Sequence, residues 1–248
     1  MIKARSRVSL TPLDIDFILH VFSEGDRRVE AIKALLRDRD FLDHLLDRPE
    51  LFDHVVRGKA FTWISPALYF YVLIRHGLRR SGIDNRDVSD YIASLLVEFA
   101  ARERLHRISY AHDEIFHYIV DLVGYLDGAN LRDRFLIRTH IGNYSLFLLG
   151  LFIDHVEAGQ RHGRRITGVN YYEDMGSTSY RLAAGNRLAE QLNLVDVLTL
   201  LAENFHFIRT FLNRIAREYL YPSAESRVNG LFTSTPSGHT DARQSRSA

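Results

Sequence analysis

A chain of 248 residues, 46% hydrophobic and 25% charged, has ample apolar material for a sizeable core and the composition of an ordinary globular protein. Its 32 basic and 31 acidic residues leave a formal charge of +1, which speaks against any global attraction to nucleic acid or anionic lipid. Cysteine is absent, which excludes disulfides, thiolate nucleophiles, iron–sulfur clusters and cysteine zinc sites.

Behind the basic N-terminus no apolar run is long enough for an export signal, and no segment is long enough for a membrane span. The cytoplasm is the expected location. Thr11-Pro12 supplies an N-cap and a proline for the first helical position, opening a helix to about residue 22. Gly25-Asp26 ends it and caps another, with Val29, Ile32, Leu35 and Leu36 at helical spacing. Two brief helices follow, divided by Arg48-Pro49, with Phe41, Leu45, Leu51, Phe52 and Val55 as their buried sides and Gly58 as a stop.

Trp63 lies in an aromatic connector and, with Phe61, Tyr69, Phe70 and Tyr71, is expected in the core. Ser65-Pro66 repeats the cap-and-proline signature for a helix through Arg80, ended by Gly82. Asp84 or Asn85 caps the next, which turns Val88, Tyr91, Ile92, Leu95, Leu96 and Phe99 inward. A further helix runs from near Ser109 to Gly128, and Asn130 can cap the segment after it.

Residues 144–153 are apolar in every direction around a helix axis, with nothing larger than Ser145 to interrupt them. Such a helix must be surrounded, and this one is too short to cross a bilayer. It is therefore the expected central helix, over about 141–157, of an all-α, multi-helix globular bundle. Asn170 and Glu173 form a capping-box pattern for a helix from Tyr171, and a last long helix is expected over 193–221, ended by Pro222. Residues 1–222 read as one helical domain and 223–248, rich in Ser, Thr, Gly and Arg, as a disordered tail.

Three constellations carry chemistry. Arg134, Arg138, His140 and Asn143 sit at the head of the central helix, where burial would oblige each to find a partner. Glu98, Asp121, Asp133, Glu173 or Asp174 could supply it internally. Otherwise these donors, with Tyr171, Tyr172 and Glu173 at a nearby helix start, line a pocket for a polar or anionic ligand. Arg161, His162, Arg164 and Arg165 form a basic loop suited to an anion or a partner surface.

The third constellation is a pair of Glu-x-x-His spacings, Glu114/His117 and Glu203/His206. Two such pairs, with Glu98 and Glu157 as nominal further ligands, are the donor set of ferritin-like di-metal bundles. Both pairs, however, lie opposite the apolar stripes of their helices and so face water, not a bundle interior. His20, His44, His54 and His76 read as single boundary residues. No Gly-x-Ser-x-Gly, His-Glu-x-x-His or phosphate-loop signature occurs, and no motif names a cofactor.

The leading expectation is a helical binding or regulatory protein holding a small polar or anionic ligand between helices. The alternatives are a di-metal carboxylate enzyme using the two Glu-x-x-His pairs, and a nucleic-acid or partner-binding module acting through 161–165. Homo-oligomerisation through surplus apolar helix faces is a further expectation.

Overall fold

A computed structural model describes residues 9–23, 35–36, 38–57, 63–105, 119–120, 122–161 and 168–220. They form α1 (Pro12–Phe22), α2 (Arg39–Leu46), α3 (Pro49–Arg57), α4 (Pro66–Arg80), α5 (Arg86–Leu105) and α6 (Leu131–Leu151). After these come α7 (Ile153–Arg161), α8 (Val169–Ala184), α9 (Arg187–Gln191), α10 (Val195–Glu203), α11 (Phe205–Ile215) and a π-helical turn (Ala216–Leu220). No strand occurs among the described residues, so the expected all-α class holds.

Local sequence sets most helix starts. Thr11 and Asp14 form a reciprocal capping box, Thr11 Oγ1 accepting from the Asp14 N–H at 3.2 Å and Asp14 Oδ2 from the Thr11 N–H at 2.7 Å. The other oxygen of buried Asp14 accepts from the Ser65 N–H at 2.7 Å, tying the start of α1 to the start of α4. Asn85 caps α5 through the Val88 N–H at 3.0 Å, and Asn130 caps α6 through the Asp133 N–H at 2.9 Å.

Between α4 and α5 the chain makes a Schellman turn. The Ile83 N–H donates to the Leu78 carbonyl at 2.9 Å and the Gly82 N–H to the Arg79 carbonyl at 3.1 Å, with Gly82 at φ +90°. All six inward residues expected of α5 are buried.

The sheathed helix is α6. From 141 to 150 every residue is buried except half-buried Tyr144. Its most extensive contact is with α8, and α11 also lies along it. Its bounds differ from the expected 141–157: the helix begins at Leu131, breaks at Phe152, and continues as α7 at an 84° bend. The break releases the carbonyls of Leu149 and Gly150, and the Asn213 side-chain amide on α11 donates to both, at 2.6 and 2.7 Å. Gly150 makes the approach possible, since a Cβ there would lie 2.9 Å from Leu212.

Four further expectations need correction. Helix α8 starts at Val169 with Gly168 as an N-cap lacking a side-chain bond, so Asn170 and Glu173 form no capping box. The long helix over 193–221 is broken at Asn204, whose side chain bonds the Leu200 carbonyl at 3.1 Å, and it ends in a π turn. Trp63 is 70% exposed, whereas Ile64, Tyr69, Phe70 and Tyr71 are buried. It stands in the turn ahead of the Ser65 cap, where Ile64 takes the inward position. His76, expected at a boundary, is buried against Phe52.

The helix proposed after Gly25 (apart from Leu35 and Leu36), the onset near Ser109, Phe61, Gly58 and the tail 223–248 lie outside the described residues. Among the described residues no single helix is long and apolar enough to cross a membrane.

Candidate functional site

Among the described residues the most developed polar site lies away from the central helix, at a corner where α2, α4 and α5 meet. Helix α4 runs through an apolar stretch, Leu68 to Leu78, that buries nearly every side chain, yet Arg75 stands in the middle of it. Arg75 is 1% exposed. A guanidinium so placed must be neutralised and hydrogen-bonded. Asp47, the C-cap of α2, accepts from Arg75 Nε at 2.7 Å and from Nη2 at 2.9 Å. Asp84, in the α4–α5 turn, approaches Arg75 Nη2 at 2.5 Å.

Two more arginines close around Asp47. Arg86, the first residue of α5, donates through Nη2 to Asp47 Oδ2 at 2.7 Å and lies 3.9 Å from Asp43. Arg79, one turn beyond Arg75, donates to the Asp47 backbone carbonyl at 3.1 Å. Burial alone would raise the Asp47 carboxyl, but the bonds and charges of Arg75 and Arg86 outweigh it and hold the group at about 2. Burial would likewise lower Arg75, and Asp47 and Asp84 reverse that, so its pKa is raised. Asp47 and Arg75 therefore carry opposite charges at neutral pH.

These groups line an open cleft of about 750 Å³, completed by Arg48, His44, Asn85 and Asp87. The lining carries four arginines and four aspartates. Arg75 Nη1 is buried with no hydrogen-bond partner, beside an Nη2 that is shared by Asp47 and Asp84. The sequence signal was an arginine inside an apolar helical run, with Arg79 and the Asp43/Asp47 pair each at a spacing of four. Without the fold, nothing linked residue 75 to residues 47, 84 and 86.

The residues singled out around the head of the central helix are dispersed. Asn143 is buried, and its Oδ1 accepts from the hydroxyls of Tyr91 and Tyr180, both at 2.8 Å. Arg134 is exposed and Arg138 half-buried; burial, then the charge of Arg134, lowers the Arg138 pKa. Neither arginine has a carboxylate partner among the described residues, and Asp133 is bonded instead to Asn130. His140 stacks at 6.1 Å on Phe99. Tyr172 is fully buried, Tyr171 packs edge-on against it at 5.4 Å, and Glu173 turns to another helix.

That partner helix is α11. Glu173 Oε1 lies 2.6 Å from His206 Nδ1, and Oε2 lies 3.3 Å from Arg209 Nε. His206 is 73% exposed and Glu203 is also exposed, so this Glu-x-x-His pair faces outward. Glu157 is exposed as well. The other pair, Glu114 and His117, lies outside the described residues, and among the described residues no group of three metal-ligating side chains converges. Of the basic loop only Arg161 is described, exposed at the end of α7; His162, Arg164 and Arg165 are not.

The fold and cleft thus define an all-helical protein with an arginine-rich polar cleft between helices. Comparison with protein-family models, with curated proteins and with solved structures finds no match for the chain. The functional reading therefore rests on the chemistry of the cleft.

Proposed function

We propose that this is a helical binding protein whose cleft between α2, α4 and α5 takes a small polar ligand through an oxyanion group, a phosphate or a carboxylate. The observation that carries the reading is Arg75, a buried guanidinium that lines an open cleft and has one nitrogen, Nη1, buried without a partner. An unmet buried donor costs about 1–3 kcal/mol, which a ligand oxygen would recover. The planar fork of arginine suits both oxyanions, which it can bind through two parallel N–H bonds. Arg79 and Arg86 stand on the same wall, partly exposed. The matching aspartates favour a ligand that also presents hydrogen-bond donors or an amine, over a polyanion.

The test is a titration of the full chain with inorganic phosphate, and separately with acetate, followed by calorimetry and by the thermal midpoint. Sodium chloride of equal ionic strength serves as the control. Phosphate or acetate is expected to raise the midpoint beyond the chloride control, as a ligand of the folded state must. Arg79→Gln is expected to weaken the effect at least fivefold. No specific shift, or an equal one in Arg79→Gln, would contradict the reading; the stronger of the two anions identifies the oxyanion.

A further inference from the structure

Resting on that reading, we infer that Asp84 is a resident anion: its side chain occupies the outer seat on Arg75 that a ligand oxyanion takes by displacing it. Arg75 is held by two carboxylates of different character. Asp47 is 10% exposed and shared by Arg75, Arg79 and Arg86. Asp84 is 67% exposed and approaches Arg75 from the solvent side of the cleft. Inner carboxylate and buried guanidinium form a fixed base; the outer carboxylate is the exchangeable one.

The backbone permits this exchange without rearrangement. The Schellman bonds of Gly82 and Ile83 fix the turn on one side of Asp84, and the Asn85 cap of α5 fixes it on the other. Release therefore needs only rotation about the Asp84 side-chain torsions, which for an exposed residue takes picoseconds to nanoseconds. Asp84 regains its hydration on leaving, and Arg75, its side chain 2% exposed, keeps the inner carboxylate of Asp47 while the incoming oxyanion takes the vacated place. The incoming oxyanion meets Nη2 vacated by Asp84, the adjacent unpartnered Nη1, and Arg79, which already lies 3.9 Å from the Asp84 carboxylate. Asp84 thus sets a threshold: it keeps the seat neutral when ligand is scarce and weakens binding of any anion that cannot outcompete it.

The experiment compares phosphate binding by the wild-type chain, Asp84→Asn and Asp87→Asn by calorimetry at low salt. Asp87 lines the same cleft and controls for the loss of one rim charge. At least tenfold tighter binding by Asp84→Asn, with Asp87→Asn within about threefold of wild type, is the expected result. Equal gains in both variants, or no gain in Asp84→Asn while the wild type binds, would overturn the exchange and leave the oxyanion site standing. Phosphate binding by none of the three overturns the site and the exchange together. Wild-type carbon NMR needs no variant to fold. The Asp84 carboxyl signal is expected to move to that of a solvated carboxylate as phosphate is added, and a stationary signal alongside a shifted Arg75 guanidinium would contradict the inference.

Discussion

Two buried polar clusters serve this fold in opposite ways. Inside the α5–α6–α8 contact, Asn143 accepts from Tyr91 and Tyr180; all three are neutral, and all lie in the interior. Burial, the main cause, raises both tyrosine pKa values, so the hydroxyls keep their protons. Gly142 lets the Tyr180 ring lie against the α6 backbone, where a Cβ would come within 2.6 Å of it. At the α2–α4–α5 corner the polar groups are instead arginines and aspartates in ion pairs, and one side opens to a cleft. Neutral partners can be sealed at small cost, whereas charges this close keep access to water or to a ligand. The closed cluster fixes packing; the open one has capacity for exchange.

Breaking one member of each cluster measures that difference. Asp47→Ala leaves Arg75 buried without its inner carboxylate, and the expected loss is about 3–5 kcal/mol in urea unfolding. Asn143→Ala strands two buried hydroxyls, for an expected loss of about 2–4 kcal/mol by the same measurement. The two variants differ further in salt response: added chloride is expected to change the Asp47→Ala deficit and to leave that of Asn143→Ala unaltered.

The smallest effect is in pH. Asp47 titrates at about 2 in the fold, below its ordinary 3.8, so its contribution is complete above 3.8 and is lost as pH falls toward 2. His76 is lowered from 6.5, first by burial and in part against its bond to the Leu46 carbonyl. The unfolded chain therefore takes up the His76 proton first, and stability is expected to start falling below pH 6.5. In an unfolding series from pH 7.5 to 5, His76→Phe is expected to flatten that decline; an unchanged slope would assign it to other groups.

What the sequence revealed depended on range. Thr11, Ser65, Asn85 and Asn130 were legible as caps because each acts on a backbone N–H within three residues. The central helix was legible because residues apolar on every side admit only enclosure. Its break at Phe152 was not, since the freed carbonyls depend on Asn213, 63 and 64 residues away. The break at Asn204 and the outward Trp63 were hidden in the same way, by packing that outweighs local pattern.

The site divided along that line too. Asn143 was recognised as a polar group that burial would force into partnership, and it is partnered, by Tyr91, read only as an inward residue, and by Tyr180, which no local pattern singled out. The charged cleft escaped because Arg75, Asp47, Asp84 and Arg86 each resemble an ordinary helical or loop charge until the fold joins them.

Crystals grown without phosphate or sulfate and then soaked in inorganic phosphate test the central claim most directly. Density for the anion against Arg75 and Arg79, with the Asp84 side chain turned away, is the predicted outcome. An unoccupied corner, with Arg75 still clasped by both carboxylates at saturating phosphate, would contradict it.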